Sequence, residues 1–204
     1  MRDLEDARDK TLMGSPGSLI VFEPLLRSTA IHEAGHATAA HHLLRSHDVH
    51  SASVRPQGRA LGRVIMVPRH DEELVTYYDI LAHIAVMLAG RAAEVLEGAL
   101  LESSPGAEDD LKQASELAYA AVTKWGFGSR TGPHSVVCQD GDISEFLLNR
   151  IDADVAGILD YCMRLATNCL KEHRSFHRAL AERLERDHSL RLSDLEGIEQ
   201  QLSA

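Results

Sequence analysis

A chain of 204 residues is long enough to bury one sizeable core, and its 44% hydrophobic and 25% charged residues lie near globular averages, which excludes a disordered chain or a mini-protein. Aromatics make up only 4%, with alanine and leucine filling the gap, so helices are expected rather than a sandwich or barrel of β-branched and aromatic positions. The formal charge of −10, from 31 acidic against 21 basic residues, argues against nucleic acid as a partner, because gripping a phosphate backbone takes clustered Lys and Arg.

Residues 3–13 have a short helical pattern that ends at Gly14-Ser15-Pro16-Gly17, a cluster that stops helices and makes a joint, so 1–17 reads as a linker-like segment and 18–204 as the domain. From Pro24 to about Arg45, apolar and small residues recur at steps of three and four, which predicts an amphipathic helix. Between Val49 and Pro68 the pattern changes to β-branched runs around a turn at Gln57-Gly58, which predicts a small hairpin. The run from about Leu74 to Leu96 is apolar on most sides, as in a helix buried in a core, with Gly90 marking a close approach or a bend. After the turn-like Glu102 to Ala107, a helix from Glu108 to Trp125 carries acidic residues in its first turn, where they favour the helix dipole. A loop runs from Gly126 to about Gly141. The C-terminal part, about 142–204, is helical, with a break near Arg174-Ser175 and a short last helix near Ser193.

Cys138, Cys162 and Cys169 form neither a disulfide framework nor a zinc cage, so they are expected to pack, and a reducing compartment fits. The longest apolar stretch, around Ile80 to Ala89 and interrupted by His83, is too short to span a bilayer, and no phosphate-cradling loop for ATP occurs in these residues. Twelve histidines raise the prospect of metal chemistry without locating it.

Location comes from spacing. His32-Glu33-Ala34-Gly35-His36 is an H-E-x-x-H motif inside a predicted helix. Two positions four apart on a helix differ by about 40° around its axis, so both imidazoles face one point and can share a zinc ion. Glu33 then lies beside the metal, placed as general base and acid toward a water that the metal acidifies. A catalytic zinc needs a third protein ligand. The longer H-E-x-x-H-x-x-G-x-x-H pattern fails, because Ala39 and His42 stand at its last two positions. The candidates are Asp109, Asp110, Glu94, Glu97 and the histidines His41, His42, His47, His50, His70 and His83, and spacing does not choose between Asp109 and Asp110.

Taken in order, AIHEAGHA, GRALGRVIMVP, LAGRAAEVLEG, SSPGAEDDLKQASELA and WGFG resemble successive segments of the peptidase domain of the FtsH family, ATP-dependent, membrane-anchored zinc proteases. DLEDARDKTLMG is similar to the linker into that domain, and LAERLERDHSLRLSDLEGI to its closing helices. The resemblance implies a mainly α zinc-metallopeptidase domain with a small β-hairpin near the active site, one Zn2+ per chain held by His32, His36 and Asp110, and Glu33 as the catalytic base. Glu94 is expected behind the ligands, orienting a histidine or a water, against the plainer alternative of a buried carboxylate paired with Arg91. His41 and His42 are expected on the solvated part of the zinc helix, and the other histidines at the surface. The implied substrates are unfolded polypeptides. The implied assembly is a homo-hexamer working with an AAA ATPase module elsewhere in a parent protein anchored to the inner membrane and facing the cytoplasm, this segment itself touching neither membrane nor nucleic acid. A catalytically silent assembly module and a stand-alone soluble zinc peptidase are the rival readings. Residues 62–67 (GRVIMV) are either an ordinary hairpin strand or an exposed sheet edge on which an extended polypeptide could pair.

Overall fold

The computed structural model describes residues 23–56, 61–69, 76–98, 107–136 and 143–203. The linker-like segment 1–17, the turn at Gln57-Gly58, most of the 102–107 turn, His70 and Cys138 lie outside them. Among the described residues the chain runs α1 (Glu23–Leu43), β1 (His47–Ser53), β2 (Arg63–Pro68), α2 (Tyr77–Leu96), α3 (Glu108–Thr123), α4 (Glu145–Glu172), α5 (Arg174–Asp187), β3 (Ser189–Arg191) and α6 (Leu192–Ser203). The fold is mainly α, as its composition predicts.

The first helix is buried more evenly than the single apolar stripe of an amphipathic helix would give. Residues 33–40 of α1 are all buried, and the helix packs against α2, α4, α5, β1 and β2. Its small side chains explain this: a helix of alanine and glycine can be approached from nearly every side, and a Cβ added at Gly35 would meet the Ala89 carbonyl of α2 at 2.6 Å. The second helix, α2, is buried as its apolar run predicts, and a capping box between Thr76 and Asp79 fixes its start. The break in the C-terminal helices falls at His173, one residue ahead of the predicted position.

The predicted hairpin is part of a three-stranded antiparallel sheet ordered β2-β1-β3. Val49 pairs with Met66 and Ala52 with Val64, with a register irregularity between Val49 and Ser51. On the other side of β1, Ser51 pairs with Arg191 and Ser53 with Ser189. Three residues are too few to show a strand period, and β3 follows a left-handed residue, His188 (φ 62°), that ends α5, so nothing local in the sequence marks it. The sheet leaves β2 at its edge.

A buried carboxylate braces the loop after α3. Asp154 of α4 accepts from the backbone N–H of Thr131 at 2.7 Å, from that of Arg130 at 3.0 Å, and from the Ser129 hydroxyl at 3.1 Å. Burial opposes its charge, but these donors outweigh burial and hold the carboxyl below its ordinary range. Cys162 and Cys169 are buried free thiols that burial pushes up to about 12 and about 11, consistent with a packing role.

Candidate metal centre

Two helices bring three side chains to one point. α1 supplies His32 and His36 from the same face, and the first turn of α3 supplies Asp110. The His36 and His32 Nε2 atoms are 3.0 Å apart, and Asp110 Oδ2 lies 3.1 Å from the former's neighbour, His32 Nε2, and 3.2 Å from His36 Nε2. Asp109, one residue earlier, is exposed and is not part of this cluster.

The far nitrogens determine what the near ones offer. His36 Nδ1 lies 2.7 Å from the Val86 carbonyl of α2, which can only accept, so Nδ1 carries the proton. His32 Nδ1 lies 2.8 Å from Glu94 Oε1, and that carboxylate likewise fixes the proton on Nδ1. Each neutral imidazole therefore turns a bare Nε2 lone pair toward the other and toward a carboxylate oxygen. Three acceptors at 3.0 to 3.2 Å repel unless a positive charge sits among them. Tetrahedral zinc with bonds of about 2.0–2.1 Å separates its ligand atoms by about 3.3–3.4 Å, so this triangle needs little change to receive one. The chemistry and spacing of the donor set fit the metal.

The carboxylates around the two imidazoles favour a positive charge there. Burial works against a charged His32, but Asp110 and Glu94 outweigh it and raise the imidazole to about 9. Burial also opposes ionisation of Asp110, whose bonds to His32 and His36 nevertheless hold it well below the carboxylate range. Glu94, buried on α2, touches both neighbours: Oε1 accepts from His32 Nδ1–H at 2.8 Å while Oε2 lies 3.3 Å from an Arg91 guanidinium nitrogen.

Space for the imidazoles comes from a missing side chain. A Cβ on Gly90 would stand 2.5 Å from His32 Nε2 and 2.6 Å from His36 Nε2, so this position on α2 is a floor beneath the metal cluster. Glu33, between the two histidines in sequence, is buried as well. Its side chain is buried against Gly62, where a Cβ would come within 2.5 Å of Oε1, so the approach to β2 runs directly over the carboxylate. Burial pushes Glu33 above the ordinary carboxylate range, with His36 and His32 pulling the other way.

The remaining candidates lie elsewhere. Glu97 is bound by Arg178 at 2.8 Å and Arg174 at 3.2 Å, tying α2 to α5. His47 and His83 pack edge to face with ring centroids 5.0 Å apart. His41 and His42, expected in solvent, are partly buried instead: the chain after α4 folds back on the end of α1, so His42 stacks on His173 with centroids 3.5 Å apart and His41 stacks on Phe176 at 5.3 Å. His177 is likewise no surface histidine. It is buried and bonds through Nε2 to the Ile31 carbonyl at 3.1 Å, one residue before His32. No local motif announces His177, because its partner is 146 residues away.

A family model described as peptidase family M41 matches residues 23–198. The chain belongs to peptidase family M41. Among relatives of this M41 chain, the ATP-dependent zinc metalloprotease FtsH 1 of Rhodopirellula baltica is 38% identical over 186 residues, covering 85% of the chain and 27% of the relative. The ATP-dependent zinc metalloprotease FtsH of Thermus thermophilus is 37% identical over 195 residues, covering 90% and 31%. The ATP-dependent zinc metalloprotease YME1L of Drosophila melanogaster is 33% identical over 204 residues, covering 97% and 28%. The M41 chain thus spans under a third of the length of these relatives, in agreement with the resemblance read from its motifs.

Proposed function

We propose that this chain is a zinc-dependent endopeptidase domain that hydrolyses peptide bonds in unfolded polypeptides. The observation that carries the reading is the triangle of two imidazole nitrogens and one carboxylate oxygen, each with its lone pair turned inward. His32, His36 and Asp110 would hold the zinc. Bound there, zinc would act as a Lewis acid, polarising the scissile carbonyl and bringing the pKa of a water toward neutrality.

The chain's own residues do the rest. Glu33, whose carboxyl burial raises above the ordinary range, accepts a proton from the attacking water and returns it to the departing amine, so no covalent nucleophile is needed. Glu94 and the Val86 carbonyl keep the two imidazoles in the tautomer that leaves Nε2 bare. Asp110 alone, and not its neighbour, is the third ligand in this reading. Asp110→Ala is expected to weaken zinc binding by more than the roughly 10- to 100-fold that loss of an outer partner costs, and Asp109→Ala to leave it unchanged, both by calorimetric titration. Equal effects of the two substitutions would overturn the assignment.

The edge strand supports a substrate role. β2 is partly exposed, has its outer edge unpaired by any described strand, and begins beside Glu33. An extended polypeptide laid along it would pair through main-chain atoms, which tolerates many sequences. Proline at Val64 or Met66 is expected to lower cleavage of an unfolded protein at least about tenfold in variants whose circular dichroism is unchanged, since proline removes a donor. Unchanged cleavage would dispose of the edge-pairing role.

The parent assembly follows from the same reading: an AAA ATPase module in the longer protein, a homo-hexamer, and a membrane anchor that leaves this domain facing the cytoplasm. No helix among the described residues is long and apolar enough to cross a membrane.

A further inference from the structure

We propose that His41 and His42 at the end of α1, together with Glu199 on α6, form a second site for a divalent transition-metal ion, sharing no residue with the centre at His32, His36 and Asp110. Among the described residues only these two groups of three place one ligand atom each within 4.8 Å of one another.

Several observations point the same way. His41 Nε2 and Glu199 Oε2 are already 3.1 Å apart. His42 Nε2 is buried and has no hydrogen-bond partner, an arrangement that folded proteins rarely leave unmatched. Both rings are packed against aromatic neighbours: His42 lies flat on His173 with an interplanar angle of 6° and edge-on to Phe176 at 5.2 Å, while His41 stacks on the same Phe176. Packing has thus fixed the ring planes and left His42 Nε2 for another partner.

The donor set selects the class of ion. Two imidazoles with one carboxylate suit zinc, nickel, cobalt or copper, and suit magnesium or calcium poorly. Glu199 has room to adjust to an ion, its side chain being 49% exposed on a surface helix. An ion here would join the last helix to the end of the helix that carries His32 and His36, so occupancy would brace the C-terminal part against the centre of the fold.

Zinc alone is the probe. The 204-residue chain is equilibrated with excess zinc, freed of unbound metal by gel filtration, and assayed for zinc per chain and for melting temperature. His41→Ala and Glu199→Gln change partly exposed positions, which avoids disturbing the packing of His42, and each is expected to hold one equivalent fewer than the parent. Both variants are also expected to lose the part of the zinc-induced rise in melting temperature that accompanies that equivalent. Zinc content and melting rise identical to those of the parent in both variants would overturn the proposal, whatever the state of the first centre.

Discussion

Replacing Glu33 with glutamine is expected to lower cleavage of an unfolded polypeptide by roughly 10²- to 10⁴-fold while zinc content and fold stay those of the parent. The substitution keeps shape and volume and removes only the ability to take up a proton. Glu33 is not in the triangle of ligand atoms, so the metal should be indifferent to the change. The position is also unusually sensitive to bulk, because the backbone at Gly62 lies against the side chain, and glutamine is the one replacement that fits the same space. Burial raises this carboxyl above the ordinary carboxylate range, which strengthens it as a base once ionised. A variant that binds zinc yet still cleaves at the parental rate would remove Glu33 from the chemistry.

Gly90→Ala carries the second large effect, and here two forces oppose each other. In a helix interior alanine is favoured over glycine by about 1 kcal/mol, so α2 by itself would gain from the change. The added methyl would stand within 2.6 Å of both ligand nitrogens, however, and the two imidazoles cannot stay where they are. His32 is held from behind by Glu94 and His36 by Val86, so neither ring can retreat without losing the bond that fixes its tautomer. Zinc affinity is therefore expected to fall at least tenfold, on the scale of losing an outer partner, while helix content measured by circular dichroism is retained. Parental zinc affinity in a folded Gly90→Ala chain would show that the ligand cluster does not rest on this position.

The sequence was most informative where chemistry and helical period coincide. The H-E-x-x-H spacing places two imidazoles on one face of α1 by arithmetic, and the apolar run of α2 reads directly as a buried helix. Asp110 could not be separated from Asp109 by spacing, since both lie in the first turn of α3, and which one faces α1 depends on how two helices pack. Long-range pairs were invisible for the same reason. Asp154 and His177 carry no motif, and their roles arise from a loop and a carbonyl brought to them by tertiary folding. The third strand escaped because three residues following α5 pair with a strand more than a hundred positions earlier. Composition misled at α1, where alanine and glycine suggested one apolar stripe and instead let neighbours close in on nearly every side.

The most direct test of the account strips the chain of metal with a chelator, restores zinc stepwise, and follows both zinc bound at His32, His36 and Asp110 and cleavage of an unfolded model protein. Cleavage that is absent without metal, rises as that centre fills, and fails in the Asp110→Ala chain is the expected result. Cleavage that persists in the stripped chain, or that stays absent when the centre is full and the fold intact, would contradict it.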